Sequence, residues 1–302
     1  MDFKDLSYLV AIAKYGNITK ASESVYISQP TLTKFLQKKE RELGLKLFKK
    51  VGNKFILTYS GQKYVEKATM ILDLKKQLDQ EMNDIIKKNE GSLKGAFPAM
   101  RSTYMLPCTL PIFHSLYPNV HLNILEANSN KLEEMILDGT TDLAFFNLPI
   151  HSSNIDYELI SHEELLLVMS PDNPLAQSAV KNSKCKFPYM DIDLIKDEKF
   201  ILPLPDQRTR QTVNHLIKTT GLQPDIVLET GNFSASVELV SKNYGICFMT
   251  ETHLKHIKTS RPVLCFSIGK PSTTVDFVAA FHKGSYISYH AKEYIKIVRD
   301  FT

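Results

Sequence analysis

The sequence predicts an α/β chain in three parts: a short helical head closed by a β-hairpin, one long helix, and a larger body in which strands and helices alternate. Three observations carry this. Positive charge is confined to one end: residues 1–60 hold 11 Lys and Arg against 5 Asp and Glu, residues 61–90 hold 6 against 6, and residues 91–302 hold 20 against 22. The stretch from Gly61 to Asn89 contains no proline and no internal glycine. From Gly91 onward, short apolar runs alternate with amphipathic ones, the order of an α/β body with parallel-sheet character. With 302 residues, 43% of them hydrophobic, the chain is long enough for two or three compact units.

Composition disfavours several function classes. Cys108, Cys185, Cys247 and Cys265 are widely spaced and form no CxxC pair, so neither a zinc site nor a disulfide framework is expected, and no cofactor is implied. GxSxG, HExxH, GxxxxGK[ST] and GxGxxG motifs are missing, and the nine histidines do not fall at metal-ligand spacings, which disfavours an enzyme. The opening MDFKDLSYLVAIAKYG has acidic residues and no long apolar core, while ELLLVM and FVAAF are too short to cross a bilayer, so the expected location is the cytoplasm. A basic head on a near-neutral body suggests a polyanion-binding module joined to a unit with another task.

Within the head, Phe3, Leu6, Leu9, Val10 and Ala13 recur at helical spacing between a capping Asp2 and a terminating Gly16. A second short helix, TKASESV, turns Ala21 and Val25 inward. Only Tyr26 and Ile27 separate it from Ser28, a good N-cap for a third helix that tolerates Pro30 in its first turn and buries Leu32, Phe35 and Leu36. After Gly44, LKLFKKVGNKFILT reads as a hairpin about a Gly52-Asn53 turn. The outer face of the third helix carries Gln29, Thr31, Thr33 and Lys34, side chains able to pair with base edges in a major groove. Lys38, Lys39, Lys49, Lys50 and Lys54 are placed to follow the sugar-phosphate backbone. The candidate DNA-contacting set is Thr19, Ser28, Gln29, Pro30, Thr31, Thr33, Lys34, Lys38, Lys50 and Lys54.

These residues resemble the LysR-type transcriptional regulators. The likeness rests on NITKASES, on SQPTLTKFLQKKERELGLKLFKK and on LTYSG at Leu57 to Gly61, with two departures: Lys39 where the family usually has Leu, and Lys50 where it usually has Arg. LPIFHSLYPNVHLNILEANSNKLEEMILDGTTDLAFF and LVSKNYGICFMTE extend it over essentially the whole chain. The resemblance implies a winged helix-turn-helix over residues 1–60, a linker and dimerisation helix over 61–90, and an effector-binding domain over 91–302 with two α/β lobes of type II periplasmic-binding-protein-like architecture. It also implies a homodimer or homotetramer on double-stranded DNA, switched by a small molecule held between the lobes.

The middle segment supports pairing on its own terms. Tyr64, Ala68, Ile71, Lys75, Leu78, Met82 and Ile85 step by four and three, a heptad seam interrupted by one charge. In the body, VHLNILE, DLAFFNLP, ELLLVMS, KFILPLP, DIVLE and GICFMT read as strands. YMLPCTLPIFHSLY, NKLEEMILDG, TRQTVNHLIKTTG and FSASVELVSKN read as helices. Carried over by position, the resemblance places the effector pocket at Met100, Arg101, Ser102, Asn128, Ser129, Asn147, Arg208, Asn232 and Phe233. Pro98-Ala99-Met100 stands where the family often has hydroxyl residues. Arg101, Arg208 and Arg210 are then candidate partners for an anion, with Met100 and Phe233 covering an apolar portion, so an organic anion is the expected effector. The alternative for each arginine is a surface position or a bridge between lobes. Two other functions stay open: an α/β enzyme with a nucleic-acid-binding extension, and a cysteine-based redox-sensing regulator in which the lysines flanking Cys185 lower its pKa.

Overall fold

The computed structural model describes residues 2–52, 54–86, 90–269 and 272–302, so Asn53 of the expected turn lies outside it. The chain forms two compact units, Met1–Ile86 and Lys87–Thr302.

The first unit runs α1 (Phe3–Tyr15), α2 (Ile18–Ser24), α3 (Gln29–Leu43), β1 (Phe48–Val51), β2 (Lys54–Leu57) and α4 (Tyr59–Ile86). Each of the first three helices starts where a side-chain oxygen accepts an otherwise unpaired amide: Asp2 from Lys4, Asn17 from Thr19 and Lys20, and Ser28 from Thr31. Gly16 and Gly44 end α1 and α3 in the left-handed conformation, where a side chain is costly. Leu9, Ile12, Ala21, Leu32, Leu36, Leu47 and Phe48 form the core beneath them.

Two charged residues help hold this small unit together. Glu40 is buried on α3 and accepts from the amides of Leu47 and Phe48, at 2.9 and 3.2 Å, and from Lys46 Nζ at 2.7 Å, tying the helix to the first hairpin strand. Burial alone raises its pKa, but the bonds from Lys46, Phe48 and Leu47 outweigh that and leave it lowered. Lys39, the departure from family usage, keeps only 11% of its side chain exposed and reaches Asp5 Oδ2 at 2.8 Å, joining α3 to α1. That hydrogen bond lowers the Asp5 pKa and raises that of Lys39. At Gly61, a Cβ would sit 1.8 Å from the carbonyl oxygen of Leu47, so only glycine lets α4 leave this close to the hairpin. The long helix therefore starts at Tyr59, two residues before the expected 61, and belongs to the same compact unit as the head.

Among the described residues, the second unit is built on one mixed sheet of nine strands. Its elements are β3 (Gly91–Phe97), α5 (Ala99–Leu116), β4 (Val120–Glu126), α6 (Ser129–Leu137), β5 (Leu143–Asn147), β6 (Ile155–Met169), β7 (Lys199–Leu202), α7 (Arg208–Thr220), β8 (Asp225–Glu229), α8 (Phe233–Ser241), β9 (Ile246–Thr250), α9 (Glu251–Lys255), β10 (Leu264–Ser267), β11 (Thr273–His282) and α10 (Tyr289–Phe301). The sheet order is β4-β3-β5-β11-β6-β9-β7-β8, with β10 also paired to β6. Parallel pairing joins β3 to β4 and β5, and β7 to β8 and β9; β6 and β11 run antiparallel to their neighbours and to each other.

β6 and β11 divide the body into two lobes. At one end β11 pairs β5 through Phe277–Ala280; at the other β6 pairs β9 through Leu165–Val168. One lobe centres on Phe97, Phe113, Phe145, Phe277 and Tyr294, the other on Leu165, Phe200, Leu202, Phe248 and Ile246. Two long strands thus serve both cores, and the helices that follow β3, β4 and β7 start where the lobes face each other. The expected strand from Glu164 is the second half of a strand that begins at Ile155, while β11 and α10 fall in segments with no expected element.

Candidate functional site

The exposed start of α3 forms the first candidate site. Ser28, Gln29, Pro30, Thr31, Lys34 and Lys38 are exposed, as is Thr19 at the start of α2, and Thr33 is half-buried. Their side chains are ordered by one another. Ser28 Oγ and Thr31 Oγ1 are 2.7 Å apart; Gln29 Nε2 donates to Thr33 Oγ1 at 3.0 Å, and Thr33 Oγ1 donates to the Gln29 carbonyl at 2.9 Å. Thr33 therefore steadies the Gln29 amide and leaves its oxygen as an acceptor. Lys49, Lys50 and Lys54 are exposed on the hairpin. Lys38 lies 3.8 Å from Glu42, an exposed pair of small energetic weight.

The expected seam of α4 is split between two tasks. Ala68 is buried and Tyr64 packs on the core of the head, whereas Ile71, Leu78 and Met82 are exposed at 36%, 55% and 43%. Lys75 pairs with Asp79 one turn on, and its neighbour Leu74 is exposed at 66%, which makes Leu74 the apolar position that completes the stripe. The Ile85 side chain lies outside the described residues.

In the second unit, a cavity of about 190 Å³ lies between the lobes, bounded by Pro98, Ala99, Met100, Arg101, Ala127, Asn128, Ser129, Asn147, Gln207, Arg208, Thr209, Gly231, Phe233 and His253. Seven of the nine expected pocket residues are brought together there. Ser102 and Asn232 are not: the Ser102 hydroxyl is turned to the Ala99 carbonyl at 2.7 Å and to Glu126, and Asn232 caps α8 by accepting from Ala235 N at 3.1 Å. Ala127, Gln207, Thr209, Gly231 and His253 join them without having been expected. The first residues of α5, α6, α7 and α8 all bound the cavity, and α5 and α7 have no side-chain cap on their opening amides. Converging helix N-termini favour an anion.

The three candidate arginines differ in what they have left to offer. Arg101, with 1% of its side chain exposed, donates to both oxygens of Glu163 at 2.7 and 2.8 Å and to Asn147 Oδ1 at 2.7 Å, and its guanidinium lies 3.8 Å above the Phe277 ring. Burial disfavours the Glu163 carboxylate, yet the Arg101 charge and hydrogen bonds overcome that and hold its pKa at about 2. The expected role of Arg101 as an anion ligand is thus met by an internal carboxylate. Arg210 donates to the Pro203 carbonyl, Glu229 and Asn214. Arg208 pairs with Glu133 of α6 across the cleft, 3.2 Å from His151 Nδ1, and Asn128 donates to Asp206 at 3.1 Å, so two polar links join the lobes beside the cavity.

The other wall is aromatic and neutral. Phe233 meets His253 edge-on at 5.0 Å, and Tyr104 meets it at 5.6 Å. Burial, reinforced by the Arg101 charge, pushes His253 down to about 3, so the ring is uncharged near neutral pH, and Thr250 Oγ1 is 2.6 Å from its Nδ1. Of the cysteines, Cys247 is buried and its thiol is pushed up, first by burial; Cys265 is pushed up by burial as well. Both shifts oppose thiolate formation. Val168 of β6 pairs with Cys247 on one side and Cys265 on the other, which sets the two cysteines two strand spacings apart, roughly 10 Å and too far for a disulfide.

Comparison with known proteins bears on both units. The family model of the bacterial regulatory helix-turn-helix protein, lysR family, matches residues 3–62, and that of the LysR substrate binding domain matches residues 87–302. The HTH-type transcriptional regulator YcgK of Bacillus subtilis is 28% identical, over 99% of this chain and 94% of its own length. The hydrogen peroxide-inducible genes activator of Haemophilus influenzae is also 28% identical, over 92% of this chain and 90% of its own. Among solved structures, a full-length OxyR variant from Pseudomonas aeruginosa superposes with a TM-score of 0.71 at 20% identity, covering 99% of this chain and 94% of that one. Full-length CbnR in complex with its target DNA superposes at 0.56 and 21% identity, over all of both chains. At such identities the structures establish the fold, a winged head and a two-lobed α/β body. No helix among the described residues is long and apolar enough to cross a membrane. With family models matching head and body in turn, the chain belongs to the LysR family of DNA-binding transcriptional regulators and is not an enzyme.

Proposed function

We propose that this regulator reads DNA through the start of α3, pairs with a second copy through the exposed stripe of α4, and is switched in the cytoplasm by an organic anion held between the lobes of its body. In the reading head, Gln29, Thr31, Thr33 and Lys34 face the bases and Thr19, Ser28, Pro30, Lys38, Lys50 and Lys54 lie along the backbone. The observation that carries the effector reading is the convergence of four helix N-termini on one cavity, two of them without side-chain caps. At those same helix starts, Met100 in the first turn of α5 and Phe233 at the head of α8 present apolar surface, which suits an anion with an apolar or aromatic portion better than a bare inorganic ion.

The CbnR complex with target DNA supports the head's role by likeness of fold. Redox sensing through a cysteine, suggested by the peroxide-inducible relative, draws no support from Cys247 and Cys265, whose thiols are disfavoured as thiolates, and falls to its original candidate, the half-buried Cys185. A thermal-shift screen of metabolites tests the effector class. Organic anions should raise the melting temperature of the full chain, and Ser129→Ala should weaken the confirmed ligand while leaving ligand-free DNA binding unchanged. Only neutral or cationic ligands, or an unchanged affinity in Ser129→Ala, would count against it.

A further inference from the structure

Arg208 is the cleft arginine whose demand for negative charge is least met. It gives Nη2 to Glu133 and turns Nη1 toward the His151 ring, while its buried Nε–H has no partner among the described residues. Nε–H and Nη2–H lie along one edge of the planar guanidinium, the edge a carboxylate grips with two parallel hydrogen bonds. Glu133 occupies half of that edge. Burial lowers the Arg208 pKa and Glu133 does not fully offset it; for Arg101, Glu163 more than offsets the same effect.

Glu133 is arranged to survive without Arg208. Its Oε2 accepts from the amides of His151 and Ser152, at 3.1 and 3.2 Å, so its charge keeps two donors when the guanidinium leaves. A second unmet group bounds the same cavity. Gln207 Nε2 points to the Gly231 carbonyl at 3.5 Å, and its buried Oε1 accepts from nothing among the described residues.

We infer that Glu133 is a built-in competitor for Arg208: a ligand carboxylate entering the cleft takes the Nε–Nη2 edge, Glu133 stays with the backbone amides, and a hydroxyl or N–H group beside the ligand carboxylate donates to Gln207. The inference rests on the cleft being the effector site. Arg208 opens α7 in one lobe and Glu133 lies on α6 in the other, so the exchange replaces a direct link between lobes by one that runs through the ligand. Ligand occupancy and lobe geometry are thereby coupled through one guanidinium.

Acetate, and glycolate as its hydroxyl-bearing counterpart, are sufficient probes. The melting temperature of the full chain is followed against each sodium salt, with sodium chloride at equal ionic strength as reference. Glu133→Gln should respond to acetate at a concentration about tenfold lower than the native chain does, glycolate should act below acetate in both, and Arg208→Gln should lose the specific response. Should Glu133→Gln fail to fold, Glu133→Asp, which withdraws the carboxylate by one methylene, should shift the same way by about threefold. Equal acetate responses in the native chain and the Glu133 variants overturn the exchange, as does the lack of any acetate-specific response. A response that persists in Arg208→Gln overturns the exchange and leaves the cleft an anion site. Glycolate no better than acetate removes the role of Gln207.

Discussion

A guanidinium almost wholly out of water must find its countercharge inside the fold, and Arg101 finds it in Glu163, 62 residues along the chain. Nothing local to AMRSTY names that partner. The sequence marks Arg101 and Arg208 as cleft arginines, but whether each is spent or available depends on carboxylates supplied by β6 and α6. His253 was equally hidden, since the two histidines of TETHLKH, His253 and His256, carry no local sign that the first is buried and the second exposed, and it is the residue through which mild acid should act first. Its folded pKa of about 3 lies below its ordinary value of 6.5. Between those values the unfolded chain binds a proton that the folded chain refuses, so stability falls as pH drops from 6.5 toward 3. Glu163, held at about 2 against an ordinary 4.5, adds a loss only as pH falls below 4.5. Urea unfolding of the body between pH 6 and pH 4.5 should therefore show a slope that His253→Gln reduces by at most about 1.4 kcal/mol per pH unit. The same slope in variant and native chain would show that His253 is not the group responsible.

At the scale of elements, local chemistry made the head legible and long-range pairing hid part of the body. α1, α2 and α3 each carry a side-chain N-cap, and glycine ends two of them, so their bounds were readable. In the body, β4 and β8 coincide with the expected runs. The first half of β6, IDYELISH, mixes exposed and buried positions, and its strand identity comes from pairing with β11 more than 100 residues away, which no local pattern reveals. The expected helix YMLPCTLPIFHSLY already ran through the prolines at 107 and 111, but the true start of α5 at Ala99 follows Pro98, which offers no side-chain cap to mark it. α4 shows the same limit in milder form. Its periodicity was visible, but the inward Ala68 and the outward Leu74 and Leu78 look alike in sequence. Leu78→Glu in a fragment of residues 1–90, which carries its own core, should sediment as a monomer because the substitution sets like charges against each other across the pair. A dimeric variant would place the contact elsewhere.

For the whole molecule, the uneven charge was the most informative feature of the sequence: a head with 11 basic against 5 acidic residues, and a body with 20 against 22. It set a polyanion-binding head apart from a body with another task before any element was assigned, and the helix from Ser28 and the family likeness then pointed to DNA and to a sensor. What it leaves open is the ligand, because a pocket made from four helix starts is assembled by topology. The regulator reading depends on the head discriminating between DNA sequences. The direct measurement is the affinity of the full chain for a duplex from the region upstream of its own gene and for a scrambled duplex of equal length, across a salt series, with Gln29→Ala and Lys50→Ala alongside. The expected result is a salt-dependent preference for the upstream duplex, with Gln29→Ala losing about 1–3 kcal/mol on that duplex alone and Lys50→Ala weakening both duplexes alike. Equal affinity of the native chain for the two duplexes, or equal losses on both for Gln29→Ala, would contradict a base-reading role for the start of α3.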